Sequence, residues 1–313
     1  NSDACIRTYK PAKNVLIENN TFKECLWGIW VEASFGAKVV NNRIFGLKDI
    51  MSQKRGNGIH FWNVKKGYIS GNLVDGSRDG IYIFATSNTQ ILNNTVRDLR
   101  YGIHYMHSDD NRVANNEIVD SRMGLALMFS RNLDIIGNVA KNNENNGILM
   151  RDLMKSRIHG NKIIGSEKGL FFYNSLNNDV TQNLVANNDI GAHVWARSFD
   201  NVVYNNMFVN NRYQTKFVAA TDEQWSLNKE GNYWTNYLGW DLDKNGVGDV
   251  PFVGNGIVER LVWTYPVLRV LLNSPAVQTL RMSESQFPIM RSPSIIDDYP
   301  LMKPPKGMED IKL

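Results

Sequence analysis

A glycine followed by an apolar residue recurs at Gly28, Gly58, Gly80, Gly102, Gly124, Gly147, Gly169 and Gly191, with steps of 30, 22, 22, 22, 23, 22 and 22 residues. An asparagine series keeps the same beat at Asn20, Asn42, Asn72, Asn94, Asn116, Asn138, Asn161, Asn183 and Asn206. Both series lengthen once, in the same stretch between Asn42 and Gly58. Two columns that share one insertion define a repeat protein, and the unit that stacks then dictates the fold.

The unit reads as short strands. Three residues before each asparagine stands Ile17, Val39, Ile69, Ile91, Val113, Ile135, Ile158, Val180 or Val203, and the residue after each repeat glycine is almost always Ile or Leu. Strand side chains alternate between faces, so these columns point one way and stack on their counterparts in the next repeat. No repeat holds ten residues of helical periodicity. The expectation is an all-β chain wound as a right-handed parallel β-helix, one rung per 22 residues or so. The 39 asparagines fit it, because Asn tolerates left-handed turns and its amide can hydrogen-bond along a stack. Proline is confined to Pro11 and to eight positions from Pro251 onward. A coil of paired strands cannot spare backbone N–H groups, so the solenoid is expected over residues 12–250. Residues 251–313 would form a Pro-rich tail with short helices, one of them starting at Ser274–Pro275. Such a tail either wraps the solenoid or docks on a partner, with Leu271, Leu272, Pro275 and Leu280 as apolar anchors.

If the residues one and three after each glycine point inward, those two and four after it point out. The outward columns then carry Trp30, His60, Tyr82, His104, Phe171 and His193, and Trp62, Phe84, Met106, Met128, Tyr173 and Trp195. A solvated β-face is rich in Thr, Lys, Glu and Ser instead, so this strip reads as a contact surface. His104 and Met106 share a face about 6.6 Å apart, and Met128 stands one rung on. Imidazole with thioether and no carboxylate cage suits Cu(I). The same residues also fit a plain protein-binding strip. His104, Met106 and Met128 are the candidate copper ligands, with His60 and His107 next in line.

Asp241, Asp243, Asn245 and Asp249 give D-x-D-x-N-G-x-x-D, which reads as a turn closed by Asx hydrogen bonds or as a weak calcium loop. The twelfth position is Phe252, where an EF-hand needs a bidentate Glu. Cys5 and Cys25 are either free thiols or one disulfide in an oxidising compartment. The chain starts at Asn1 with neither Met nor signal peptide, so a leader has been removed or the sequence begins part-way through a longer protein. No run of 18 apolar residues offers a membrane span, and the net charge of +4 comes without the basic blocks that nucleic acid would demand. A polysaccharide-binding or polysaccharide-modifying β-helix is the rival reading. It needs a carboxylate pair that the outward columns do not supply, so no catalytic role is expected.

The segments GNGIHFWN (residues 56–63), RDGIYI (78–83), LRYGIHYMHSDDNRV (99–113), GLALM (124–128), GNYW with GWDLDKNGVGD (231–249) and LLNSPAVQ (271–278) together resemble the NosD family. These are periplasmic components of the maturation system for the copper sites of nitrous oxide reductase. The resemblance implies a β-helix working in the periplasm beside an ABC-type ATPase and its membrane subunit. It would receive copper from a small lipoprotein chaperone and present it to the apo-reductase, touching the membrane only through partners. The stretch from about Arg260 would then rest on the membrane subunit.

Overall fold

The computed structural model describes residues 4–8, 11–195, 197–218, 221–254, 256, 258, 261, 265–271, 274–286 and 293–309. The chain winds into a right-handed parallel β-solenoid of about ten turns, close to 22 residues each. Three long parallel sheets of ten, nine and ten strands run the length of the coil. A typical rung places Asp79–Phe84 in the first sheet, Gln90–Leu92 in the second and Thr95–Arg97 in the third. Register is kept by like residues, as in Ile81 opposite Ile103 and Ile91 opposite Val113.

The apolar columns meet as expected. Ile29, Ile59, Ile81, Ile103, Leu125, Ile148 and Leu170 from the first sheet pack with Ile69, Ile91, Val113, Ile135 and Ile158 from the second and Val74, Val96, Ile118 and Ile163 from the third. The glycine column has a steric cause. A Cβ on Gly80 or Gly124 would sit 2.5 or 2.3 Å from the carbonyl oxygen of the next rung's glycine.

The asparagine column divides its two anticipated tasks between neighbouring residues. The left-handed turn is made one residue earlier, at Asn41, Gly71, Asn93, Asn115, Gly137, Gly160, Gln182 and Asn205. That residue turns the corner, and the following Asn side chain is directed along the coil. Each ladder amide donates to the next Oδ1, at 2.9 Å for Asn94 to Asn116 and 3.0 Å for Asn138 to Asn161. The same oxygen accepts the preceding rung's backbone N–H, so each rung's corner is pinned twice. The ladder extends one step beyond the sequence series, to Asn232.

Cys5 and Cys25 form a disulfide, with Cα atoms 5.6 Å apart, tying the first strand Ala4–Arg7 to the approach of Trp27–Glu32. At the other end Trp225, Trp234 and Phe252 plug the core, Trp234 stacking on Phe208 at 4.3 Å and on Phe252 at 4.2 Å. The last strand of the third sheet is Tyr233–Trp234. Beyond it the tail returns: Ile295–Asp297 pairs parallel with Glu223–Gln224 and antiparallel with Phe252–Val253. Asp297 accepts from Asn232 N at 2.7 Å and Trp234 Nε1 at 2.9 Å, so a buried carboxylate ends the asparagine ladder. Met308 packs on Leu184, Ala186, Met207 and Val209.

Gly254 N donates to Ile295 O at 2.9 Å, which joins the two ends of the intervening stretch, the excursion. It contains the 3-10 turn Pro266–Leu271 and the helix Pro275–Gln286, where Ser274 Oγ accepts from Val277 N as an N-cap.

Candidate functional site

Alternation decides which side chains can do chemistry. On Tyr101–Met106, Ile103 and Tyr105 enter the core, so His104 and Met106 face outward, as expected. The outer face nevertheless carries three columns, not two. The pairing register skips each glycine, passing from Asp79 opposite Tyr101 directly to Ile81 opposite Ile103. There the preceding residue, which strict alternation would send inward, turns onto the outer face. Trp27, Asn57, Asp79, Tyr101 and Met123 thus fold over the column of Trp30, His60, Tyr82, His104 and Ala126. The outer face becomes a second packed layer in which His60, His104, His193 and Met128 are all buried.

His104 is the best-defined member of that layer. Its Nδ1 lies 3.0 Å from Asp79 Oδ2, and Arg100 grips both oxygens of the same carboxylate at 2.8 and 2.7 Å. Burial would raise the Asp79 carboxyl, but the hydrogen bonds from His104 and Arg100 outweigh it and hold it below the usual carboxylate range. The His104 Nδ1 thus faces a carboxylate, which accepts hydrogen bonds. Its Nε2 is buried with no hydrogen-bond partner. The rings of Tyr82 and Tyr101 close on it at 4.8 and 4.9 Å.

Thioethers lie alongside. Met106 stands opposite Met128 in the sheet, and the Met106 sulfur accepts from Tyr82 Oη at 3.7 Å. Met128 belongs to a small cluster with Ala126 and Leu149, covered by Tyr101, Met123 and Phe171. Met123 and Asp79 both lie just before a glycine and escape a reading based on alternation. The signal was in the spacing: once the rungs are in register, the residue before one glycine lies beside the residue two after the next.

The other candidate ligands stand apart. Tyr82 lies between His60 and His104, 4.9 Å from the first ring and 4.8 Å from the second. His60 Nδ1 is 3.2 Å from Asn57 Nδ2, so with the amide donating the ring's lone pair is spent. Burial lowers its pKa to about 4, with Asp79 opposing and Arg7 adding to the shift. His107 follows the last strand residue and adopts φ +50, which ends the alternation and swings its ring between Phe84 at 5.8 Å and Phe129 at 5.2 Å. His193 stacks on Phe171 at 4.8 Å; burial, helped by Lys216 and Lys168, lowers its pKa to about 4.

The rim of this layer is a continuous aromatic stripe. Trp62, Phe84, His107 and Phe129 run along the axis, Arg151 bridges Phe129 and Tyr173 at 5.5 Å each, and Tyr173 meets Trp195 at 6.1 Å. The stripe ends on Trp62, 40% exposed, and Trp195, 47% exposed. On the excursion, Leu271, Pro275 and Leu280 are exposed beside Val267 and Val270, whereas Leu272 lies outside the described residues.

The acidic loop is closed by its own hydrogen bonds. Asp241 accepts from Asn245 N and Gly246 N, Asp243 from Asn245, and Asp249 from Leu242 N. Among the described residues no three His, Cys, Asp or Glu side chains are grouped to hold a metal ion, Asp241, Asp243 and Asp249 included. Soft donors are a different case: the orphaned Nε2 of His104 with neighbouring thioethers is chemically fitted to a soft monovalent cation.

Comparison with known proteins places this geometry in a lineage. A family model described as periplasmic copper-binding protein (NosD) matches residues 44–239. The chain is 44% identical to a probable ABC transporter binding protein NosD of Pseudomonas aeruginosa, over 97% of this chain and 74% of that protein. It is 39% identical to the protein of the same description from Stutzerimonas stutzeri, over 97% and 73%. Among solved structures, the A-module of an Azotobacter vinelandii mannuronan C-5 epimerase superposes with a TM-score of 0.54 and 13% identity, covering 66% of this chain and 71% of that one. At that identity the likeness is one of fold alone. Among the described residues no helix is long and apolar enough to cross a membrane.

Proposed function

The chain belongs to the NosD family, and from that premise we propose that it is a non-catalytic periplasmic accessory protein for copper delivery. It docks a copper-chaperone lipoprotein and the apo-form of nitrous oxide reductase, and it is coupled to an ABC-type ATPase with its membrane subunit. The relatives' description as ABC transporter binding proteins supports the last association. The exposed Val267, Val270, Leu271 and Leu280, on a stretch whose ends join at Gly254 and Ile295, support a docking role for it. One observation carries the copper reading: His104 Nε2 is buried and unpartnered on the outer face of a scaffold, on the strand that also carries Met106, which pairs with Met128 of the next rung. Copper is cargo here. A few soft donors that rearrange easily bind Cu(I) and let it go, which a closed thiolate cage does not.

Anaerobic titration with Cu(I) against a competing chelator tests this. Wild-type protein is expected to take up Cu(I) with movement of the His104 ring signals. His104→Ala combined with Met106→Ala should weaken binding by about 100-fold or more. No uptake by the wild type, with partner capture intact, would reduce the protein to a scaffold.

The stripe gives a separate prediction. Trp62→Ala and Trp195→Ala remove half-exposed rings at the two ends of the stripe, so the fold should survive with a stability loss of about 1–2 kcal/mol each. Capture of the chaperone or the reductase should weaken by about 2 kcal/mol per ring if these are interface anchors. Unchanged capture by both variants would move the interface elsewhere.

A further inference from the structure

We propose that Asp79 and Arg100 are positioning residues which lock His104 in the tautomer with its proton on Nδ1, so that Nε2 is the atom presented to copper. The inference rests on the copper reading above and adds to it a device that no repeat position encodes. An isolated neutral imidazole exchanges its proton between the two nitrogens, and only the unprotonated one binds a metal. Here the choice is made in the protein alone. Asp79 is nearly fully buried and accepts the His104 Nδ1–H at 3.0 Å through Oδ2. Arg100 donates from Nε to Oδ1 at 2.8 Å and from Nη2 to Oδ2 at 2.7 Å, which fixes the carboxylate plane and its charge. Arg100 is itself held, its guanidinium 4.4 Å over the Tyr101 ring, and that ring also meets His104 edge-on at 4.9 Å.

A carboxylate–imidazole pair of this kind raises the basicity of the opposite nitrogen and orients the ring. The buried Nε2 has no protein acceptor or donor to satisfy it; both ring nitrogens of His193 are unpartnered too, but of these two rings only His104 has a carboxylate on its other nitrogen. His60 makes the contrast within the same column. Its neighbour before the glycine is Asn57, not an acid, and the contact is amide to Nδ1. Of the two rings, only His104 carries an ionised partner and a bare distal nitrogen.

Asp79→Asn is the decisive variant. Asp79 Oδ2 serves both Arg100 Nη2 and His104 Nδ1, and a neutral amide, with one acceptor oxygen in place of two and no charge, holds the Nδ1 proton far less firmly. The ring proton is then shared with Nε2, and Cu(I) affinity is expected to fall about 10-fold with the fold intact. Long-range nitrogen–proton NMR on histidine-labelled protein reads the tautomer, and chelator competition reads the affinity. The unmodified protein is itself a test: a His104 proton on Nε2 overturns the assignment whatever the variant does. A shifted tautomer without loss of Cu(I) affinity overturns it as well. If His104→Gln abolishes Cu(I) binding while Asp79→Asn does not, only the positioning role falls. If the wild type binds no Cu(I), the copper reading falls with it.

Discussion

Gly124→Ala is expected to break the solenoid at its middle, destabilising it by on the order of 3 kcal/mol or more. A Cβ at this position would lie 2.3 Å from the Gly147 carbonyl oxygen and 3.0 Å from Ala140 Cβ. Neither neighbour can retreat. The Gly147 carbonyl belongs to the next rung's backbone, which seven register pairs between Met123–Arg131 and Asn146–Met154 hold in place. Ala140 is buried in the core. Because each rung touches only its neighbours, the damage should be local first, parting the coil between these rungs before either half melts. Gly160→Ala is the control. It carries φ +64, and a Cβ there meets nothing within 4 Å, so it should cost only about 1–2 kcal/mol of backbone strain. Thermal melts and hydrogen exchange at residues 123–131 and 146–154 separate the two. A Gly124→Ala protein melting within a few degrees of wild type would mean that the rungs can part, and that the glycine column has some other cause.

The glycine and asparagine columns were legible because each rung repeats the same steric problem and solves it with the same residue. The core followed from that, down to which face of each strand is inside. What the repeat does not encode was not legible. Asp79 sits at a position otherwise filled by Trp27, Asn57, Tyr101 and Met123, with no shared chemistry. It reaches the outer face only because the register skips the glycine beside it. His107 closes the strand, and its left-handed turn carries its ring onto the outer stripe, where alternation alone would have sent it inward. The outward columns looked exposed, whereas stacking between rungs and the overlying third column bury or half-bury all of those named except Trp62 and Trp195. Cys5 and Cys25 are close to one rung apart in sequence, the spacing that lets them meet, but spacing alone left free thiols open. Asp297 joins the ladder from 65 residues beyond Asn232, a contact that no local pattern can announce.

That distant contact gives the second large effect. Asp297→Ala leaves Asn232 N, Trp234 Nε1 and Tyr299 N without an acceptor in a buried corner, at a cost of several kcal/mol by the usual ~1–3 kcal/mol per orphaned group. The loss should fall on the clasp and spare the coil. Protection should vanish at Glu223, Trp225 and Gly254, whose N–H groups donate to Ser294, Ile296 and Ile295, and the fluorescence of buried Trp225 and Trp234 should shift to the red. The wild-type clasp should also respond to pH. Burial raises Asp297 from 3.8 to about 6, against the pull of its hydrogen bonds from Trp234, Asn232 and Tyr299. Burial likewise raises Glu223, on the partner strand, to about 7, and the Asp200 charge adds to the shift. For an acid with a raised folded pKa, stability is greatest where both states are protonated. It is lost as pH climbs from the unfolded value through the folded one. The clasp should therefore be tighter at pH 4 than at pH 7, by about 2 kcal/mol from Asp297. Asp297→Asn cannot ionise, and its amide oxygen can still accept from Asn232 and Trp234, so its clasp should lose the Asp297 share of that slope, keep the Glu223 share and remain docked. Hydrogen exchange at the three clasp amides, corrected for intrinsic rates across pH 4 to 7.5, decides the matter. Equal slopes in wild type and Asp297→Asn would remove this carboxyl as the cause. Because the clasp joins the two ends of the stretch that carries the exposed Val267, Val270 and Leu271, its loosening at neutral pH would leave that stretch freer to meet a partner.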